Sequence, residues 1–309
     1  MLRFAGLYAR PVLISTRKNG RIFKQYSMLS QFNHVLTYIK IDSSEYLLDA
    51  TDPFRPYNLL PVAALNELGF LVDKENPVWI RIVSPGYFIN RTVVSAILHA
   101  DGSISGWFDS TDEGYSGLFD RRTLRDKNKK EVEYIRDGWL SDLTGAKLDS
   151  FTISNRDSIY APLRTKAFFT SSDHTLVAGD KIFFNPVFFG RRDENPFKLQ
   201  KRTFPVDFAY GRRLSYTMYL TLPEGCELLE RPENISIDLP NNGGQFMHTI
   251  YINENQLQVL SDMVIRKPRF EPEEYQALRN FYDRVVAAHA EQVVLQRQSP
   301  KVAGKEKSR

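Results

Sequence analysis

The stretch QFNHVLTYIKIDSSEYLLDATDP, residues 31–53, contains two apolar runs separated by a short polar turn. Residues 34–41 and 45–50 are rich in β-branched, aromatic and aliphatic side chains, which is typical of strands. Asp42-Ser43-Ser44 between them favours a tight turn, and Asp52-Pro53 ends the second run. The stretch therefore predicts an antiparallel hairpin with His34 on one strand and Asp49 near the end of the next.

His34 and Asp49 are fifteen positions apart, and antiparallel pairing brings such residues within reach of each other. A carboxylate beside an imidazole can select its tautomer and stabilise its cationic form, as the third member of a catalytic triad does. Most His and Asp residues on neighbouring strands form ordinary surface pairs. The two strands by themselves leave both interpretations open.

Before and after the hairpin, the pattern continues as short strands with few helices. Residues 11–16 predict a strand followed by a turn at Asn19-Gly20, and Val62 to Leu68 predicts one or two helical turns stopped by Gly69. Strands are predicted at 78–83, 91–100 and 103–110, the last two joined at Asp101-Gly102. Apolar residues at three- and four-residue steps predict a surface helix near 123–143.

The second half of the chain predicts mainly strands and one long helix. The strand-like runs are 147–154, 165–170, 180–189, 214–223, 235–240, 246–253 and 257–265, and their spacing predicts a β-sandwich. A helix is predicted from Pro272 to about Gln296, because proline suits the first helical position and an apolar stripe follows it. The fold class predicted is mainly β with α, an α+β protein with two prominent helices.

Composition excludes several classes of protein. The 309 residues are 42% hydrophobic and 25% charged, which is typical of soluble domains with real cores. Residues 298–309 hold four basic side chains against one acidic, so they carry +3 of the net charge of +4 and predict a disordered basic tail. We therefore expect no nucleic-acid partner, and no apolar run approaches the roughly 18 residues of a membrane-spanning helix.

The chain contains one cysteine, Cys226, so an internal disulfide is excluded. His99, His174, His248 and His289 show no metal-ligand spacing, and neither a metal nor a cofactor is expected. Phenylalanine pairs at 183–184 and 188–189 could line a peptide groove, but core burial is the simpler interpretation.

The segments GLYARPVLISTRKNG (6–20), 31–53 and NLLP (58–61) resemble the second half of the transglutaminase-like domain found in large exported proteins of Gram-negative bacteria. The resemblance implies that His34 and Asp49 are the His and Asp of a papain-type Cys-His-Asp site acting on a protein or peptide. It also implies a periplasmic or envelope-associated location. Residues 1–75 would then form an incomplete transglutaminase-like core.

Residues 201–297, including FPVDFAY and LPEGCELLERPENISIDLPNNGGQF, resemble the domain of unknown function that follows this core in the same proteins. The resemblance and the strand pattern together predict three units. They are the core at 1–75, a β-rich connector at 76–200 with its helix near 123–143, and a C-terminal β-sandwich with its terminal helix at 201–297.

In that family the nucleophilic cysteine lies on a helix that precedes a segment like LRFAGLYARPV, residues 2–12 here. We expect this cysteine to be absent from the chain, which would make it an inactive C-terminal fragment. Cys226 follows the turn Pro223-Glu224-Gly225 far from His34 in the sequence, so it is interpreted as a partly buried structural residue. Two alternatives stay open: a noncatalytic protein-binding module of the bacterial envelope, and association with a separate chain that supplies the missing core helix and its cysteine.

Overall fold

A computed structural model describes residues 2–26, 28–83, 86–126 and 130–297. Within these residues the protein is mainly β with three α-helices, so the α+β prediction is confirmed at this level. None of the helices in the described part has the length and hydropathy needed to span a bilayer. The predicted basic tail at 298–309 lies outside the described residues.

The first sheet is antiparallel and contains the predicted hairpin. Its strands are β1 (Ala9–Ile14), β2 (His34–Ile41), β3 (Ser44–Leu48), β4 (Glu67–Leu71) and β5 (Val78–Ile82). They lie in the order β3-β2-β1-β4-β5, and Ile41 pairs with Ser44 across the turn. Asp42 adopts a φ of 53°, the left-handed conformation that Asp and Asn tolerate in such turns. The prediction of two antiparallel strands here is confirmed.

One face of the first sheet is buried, because alternate residues of each strand are apolar and point the same way. Val12 and Ile14 of β1, Leu36 of β2 and Leu71 of β4 are buried in a cluster that also contains Tyr115. This cluster anchors the hairpin to the rest of the protein, since Tyr115 lies beyond the first sheet and its hydroxyl donates to the Leu60 carbonyl over 2.9 Å.

The prediction of a helix over residues 62–68 is wrong for most of its length. Only Val62–Ala64 forms a single 3-10 turn, and Gly69 lies inside strand β4 instead of ending a helix. A Cβ at Gly69 would lie 2.7 Å from Ile82 Cδ1, 2.7 Å from Val12 Cγ1 and 2.9 Å from Ile14 Cγ2. The glycine is therefore required by the close approach of its neighbours across the sheet, which local pattern does not reveal.

Gly69→Ala is expected to destabilise the fold by about 1–3 kcal/mol, because the added methyl group overpacks three branched side chains in a closed core. The measurement is the midpoint of urea unfolding. Gly138→Ala is the matched control, since nothing lies within 4 Å of a Cβ built there and alanine favours the helical conformation. Equal effects of the two substitutions would contradict this account of Gly69.

The remaining strands form three further sheets. They are β6 (Phe88–Leu98), β7 (Ile104–Gly114), β8 (Ala146–Ser154), β9 (Leu163–Ser171), β10 (Leu176–Ala178), β11 (Lys181–Phe184), β12 (Val206–Asp207), β13 (Arg212–Thr221), β14 (Cys226–Glu230), β15 (Ile235–Leu239), β16 (Gly244–Asn253), β17 (Gln256–Ile265), β18 (Arg269–Phe270) and β19 (Val293–Arg297). An eight-stranded sheet has the order β15-β16-β17-β13-β6-β7-β9-β8. A four-stranded sheet has the order β10-β11-β19-β14, and β12 pairs with β18.

The eight-stranded sheet contains strands from both sides of residue 200. Strand β13 pairs in parallel with β6 over ten residues, from Arg212 opposite Phe88 to Thr221 opposite Ile97. One buried cluster combines residues of this sheet with Ile182 and Leu295 of the four-stranded sheet. The division at residue 200 and the β-sandwich stay predictions, whereas the pairing of the two segments in one sheet is a structural fact.

The helix predicted near 123–143 is wrong as a single element. Helix α1 is Tyr115–Arg125 and helix α2 is Glu131–Gly138, with a 3-10 turn at Leu140–Asp142. Asp126 and Lys130 are extended, and residues 127–129 lie outside the described part. Helix α1 begins earlier than predicted because Gly114, with a φ of 61°, turns the chain directly out of strand β7.

The C-terminal helix α3 is Tyr275–Ala290, preceded by a 3-10 turn at Pro272–Glu274. It ends six residues before the predicted Gln296, because Glu291 is extended and Val293–Arg297 forms a strand between β11 and β14. Three consecutive buried apolar residues, 293–295, suit a strand covered on both faces. The predicted apolar face of the helix is buried, with Leu278, Tyr282 and Val285 packed against the large sheet.

Candidate functional site

His34 and Asp49 lie on the buried face of the first sheet, at the end of the hairpin opposite its turn. His34 begins β2, and Asp49 follows the last residue of β3. Because Thr37 pairs with Leu48, Asp49 shares the sheet face of His34 and Leu36. Their side chains meet, with His34 Nε2 2.7 Å from Asp49 Oδ2. The structure thus brings together the two residues that the sequence singled out.

The two members of the pair differ in exposure. The His34 side chain is 26% exposed, whereas that of Asp49 is 1% exposed. Among the described residues, no hydrogen bond is formed by the second ring nitrogen, Nδ1. The buried carboxylate therefore fixes the ring through Nε2. The other ring nitrogen, Nδ1, is the one that another group could approach.

The second carboxylate oxygen of Asp49 accepts three donors. The main-chain N–H of Thr51 donates over 2.9 Å, and the Thr51 hydroxyl and the Arg55 guanidinium donate to the same oxygen. Burial acts to raise the pKa of Asp49, but these bonds, the contact with His34 and the charge of Arg55 outweigh it and hold the pKa below its usual value. Asp49 is therefore an anion at neutral pH.

Arg55 holds the loop that follows β3. Its side chain is 3% exposed and donates to the Asp49 carbonyl and the Thr51 hydroxyl, each over 3.2 Å, besides the Asp49 carboxylate. Its other terminal nitrogen lies 3.8 Å from Asp52, which in turn accepts from Arg122 of α1. Through Arg55 and Asp52, the carboxylate of Asp49 is therefore connected to helix α1, which is distant in sequence.

The start of β2 is held by a second set of contacts. The Asn33 side chain accepts from the Thr16 main-chain N–H over 2.8 Å and donates to the Thr16 hydroxyl over 2.9 Å. The Asn33 main-chain N–H also donates to the Ile14 carbonyl over 3.1 Å. His34 is thus positioned by strand pairing on one side and by this asparagine on the other.

Sequence reasoning missed Thr51 and Arg55 as parts of the site. The Asp-x-Thr spacing of residues 49–51 is a local signal, because a threonine two residues after an aspartate can donate to its carboxylate. Arg55 carried no comparable signal, since an arginine in a proline-containing loop usually lies in solvent.

The remaining candidates lie elsewhere. Cys226 begins β14 in the four-stranded sheet, is partly buried, and has a pKa raised by burial against the opposing charge of Arg297. His99 contacts the Ser105 hydroxyl over 2.8 Å at the surface, and His174 lies near the Asn185 carbonyl. His248 is fully buried. These positions agree with structural roles.

His289 is also buried and accepts from the Arg192 main-chain N–H. In the described part of the chain, no three His, Cys, Asp or Glu side chains are grouped so that they could hold a metal ion. Phe184, Phe188 and Phe189 are buried in the core, as the simpler of the two interpretations predicted.

A groove opens on the same sheet face as the pair, further along the hairpin. Its volume is about 530 Å³, and Tyr38, Tyr46, Leu47 and Tyr57 contribute to its walls. Tyr38 lies four residues after His34, and Leu47 two residues before Asp49, on the face that carries both. The groove and the pair are therefore neighbours on one surface.

Comparisons with known proteins agree with part of the sequence interpretation. Residues 180–295 match DUF3858, a family described as a domain of unknown function with a solved structure. The match covers less than half of the chain and includes most of the region that resembled such a domain. No curated protein matches the chain.

One similar solved structure is described as a "putative protease" from Parabacteroides distasonis ATCC 8503, with 15% identity and a TM-score of 0.48. The similarity covers 96% of this chain and 41% of that one, so the chain spans about two fifths of that structure. The transglutaminase-like assignment of residues 1–75 stays a prediction.

Proposed function

We propose that His34 and Asp49 are the base and its orienting carboxylate in a transglutaminase-like cysteine site for acyl transfer or peptide hydrolysis. The cysteine would come from a polypeptide segment outside these 309 residues, because the only cysteine here, Cys226, lies in a different sheet. The chain by itself would then be inactive and would supply half of the site.

The observation that carries the proposal is the 2.7 Å contact between Nε2 and a carboxylate that is 1% exposed. An ionised Asp49 favours the tautomer that carries its proton on Nε2, which leaves the lone pair on Nδ1. A thiol placed beside Nδ1 could transfer its proton there, and Asp49 would stabilise the resulting imidazolium. The same ring could later return the proton to the leaving amine.

The groove beside the pair supports a peptide as the substrate. Aromatic and aliphatic walls formed by Tyr38, Leu47 and Tyr57 suit apolar side chains of an extended segment. The groove shares the sheet face of His34, so a segment lying in it would extend towards the imidazole.

The test compares this chain with a longer version in which the segment proposed to carry the cysteine is joined before residue 1. Amide hydrolysis and labelling by iodoacetamide are measured in both. We expect only the longer protein to hydrolyse the amide and to be labelled at a second cysteine besides Cys226. We expect His34→Ala to abolish hydrolysis and Asp49→Asn to reduce it by at least about a hundredfold. His99→Ala, which removes an exposed histidine bonded to Ser105, is the matched control.

Turnover by the 309-residue chain itself, or full activity of the longer His34→Ala variant, would refute the proposal. Absence of hydrolysis by the longer protein would favour a second function, a noncatalytic protein-binding module of the bacterial envelope. The observation in its favour is a set of exposed apolar side chains around the start of β2, namely Phe23 (56%), Tyr26 (58%), Leu29 (78%) and Val35 (54%).

A further inference from the structure

The outer face of the eight-stranded sheet carries a row of aromatic side chains. The inner face is buried against the four-stranded sheet and helix α3. Tyr219 points outward, because Met218 and Leu220 on either side of it lie in the core. Residues paired directly opposite one another on six neighbouring strands continue the line of Tyr219. In order they are Tyr251, Gln258, Tyr219, Ser95, Trp107 and Phe168, which we call the aromatic row.

The rings of the aromatic row are accessible. Tyr251 is 58% exposed, Phe168 is 42% exposed and Tyr219 is 36% exposed, while Trp107 is half-buried. Lys166 lies beside two of the rings, with its Nζ 4.7 Å from the centre of the Trp107 ring and 5.4 Å from that of Phe168. Exposed apolar side chains are usually scattered singly, so a line of four rings on one face indicates a binding surface.

The sheet sets the spacing of the rings. Neighbouring strands lie about 4.8 Å apart, so Tyr251 and Tyr219, with one strand between them, are about 10 Å apart. The same separation holds for Tyr219 and Trp107. A sugar stacks on an aromatic ring through its apolar face, and in an extended β-linked glycan every second sugar presents the same face at a repeat of this length. The aromatic row therefore has the period of such a chain.

Polar groups separate and flank the rings. Gln258 and Ser95 lie between them in the row itself, and Thr217 and Thr221 lie on either side of Tyr219 on the same face. Amide and hydroxyl groups can donate to sugar hydroxyls and accept from them. A stable protein interface buries about 800 Å² on each partner around an apolar centre, which a line of rings one residue wide does not provide.

The charges of this face suit an uncharged chain. Asp109 pairs with Arg164 over 2.6 Å, and Asp262 pairs with Arg213 over 3.0 Å, so both carboxylates are matched by nearby arginines. The six residues of the aromatic row carry no formal charge. A neutral glycan lying along the row would therefore leave no ionic group unpaired and removed from water.

We propose that the aromatic row binds an extended β-linked polysaccharide of the cellulose or chitin type, whose alternate sugars stack on Tyr251, Tyr219 and Trp107. The polar residues between these rings, Gln258 and Ser95, form hydrogen bonds with the sugars in between. The row spans about 24 Å from β16 to β9, which is the length of about five sugars. It belongs to a different sheet from the candidate catalytic pair, so this proposal does not depend on the function proposed for that pair.

The test is calorimetric titration of the 309-residue protein with cellohexaose and with chitohexaose, two β-linked hexasaccharides. Binding of at least one of them is expected. Tyr219→Ala and Tyr251→Ala should each weaken it about two- to tenfold, the effect of losing one aromatic contact. Tyr26→Ala is the matched control, because Tyr26 is also 58% exposed but lies in the loop before strand β2. Its affinity should equal that of the parent.

Binding of cellohexaose alone would assign the aromatic row to unsubstituted glucans, and binding of chitohexaose alone would assign it to N-acetylated chains. Tyr219→Phe keeps the ring and should bind nearly as well as the parent, which separates stacking from any loss of folding. Maltohexaose, an α-linked chain that coils, is expected not to bind. Absence of binding of both β-linked hexasaccharides, equal binding of maltohexaose, or an equal loss in Tyr26→Ala would refute the site.

Discussion

Replacing Arg55 by methionine is expected to destabilise the protein by about 3–5 kcal/mol, because it leaves the Asp49 carboxylate buried without its cation. The side chains of Arg55 and Asp49 are 3% and 1% exposed, so water cannot compensate for the loss. The substitution also removes donors to the Asp49 carbonyl and the Thr51 hydroxyl. The measurement is the free energy of unfolding in urea at neutral pH.

Arg21→Met is the matched control for this experiment. Arg21 forms an ion pair with Glu67 over 2.9 Å, but the two side chains are 45% and 46% exposed. Exposed pairs contribute about 0–1 kcal/mol, so the control should unfold close to the parent. A loss below about 1 kcal/mol in Arg55→Met would show that Asp49 does not need this guanidinium, and would remove the basis for treating Arg55 as a support of the pair.

Stability is expected to fall as the pH rises from about 6.5 to about 8, because of the carboxyl pair Asp112 and Asp120. Burial raises the pKa of Asp120 to about 8, with a further contribution from the charge of Asp112. Burial also raises the pKa of Asp112, although Asn90, Ser116 and Ser110 donate to its oxygens. The two carboxyl groups therefore share a proton in the folded protein at neutral pH.

The sign follows from proton counts in the two states. An unfolded aspartate loses its proton near pH 4, whereas folded Asp120 keeps it to about pH 8. Between these values the carboxyl pair binds more protons in the folded state, which lowers stability as the pH rises and levels off above about 8. Below about 6.5 this effect is opposed, because burial lowers the pKa of His248 to about 4 and that of His289 to about 3, so the net decrease is expected between about 6.5 and 8. Asp120→Asn should abolish this decrease and be more stable than the parent by several kcal/mol at pH 8, with little difference at pH 4.

The measurement is urea unfolding of parent and variant at several values between pH 4 and pH 9. Asp137→Asn is the control, because Asp137 is an exposed carboxylate on helix α2. Its pH profile should follow that of the parent. A parental decrease that persists in Asp120→Asn would show that other groups cause it.

Much of the site was predictable from sequence because its strands are local. The runs that became β2 and β3 are separated by two turn residues, so their pairing depended on nearby chain alone. That pairing placed His34 and Asp49 on one face without information from the rest of the protein. Thr51 belongs to the same class, since its contact with Asp49 spans two residues.

Other features depended on partners distant in sequence. The apolar spacing near 123–143 predicted one helix, but Gly114 turned the chain into α1 earlier, and extended residues separate it from α2. The stretch 293–295 continued the helical pattern in part, yet it became a central strand because β11 and β14 offered backbone partners on both sides. The periodicity of apolar residues indicates which face of a segment is apolar. It does not indicate which strands will pair with that segment.

The sequence by itself determined the mainly β class, the hairpin and the two residues that meet in it, because turn chemistry and strand alternation act over a few residues. Only the tertiary structure decided the parallel pairing of β6 with β13 and the burial of Arg55 against Asp49. These depend on contacts between segments as much as 124 residues apart in the case of β6 and β13. Packing between distant segments determines which charged side chains are removed from water, and the local sequence pattern does not show this.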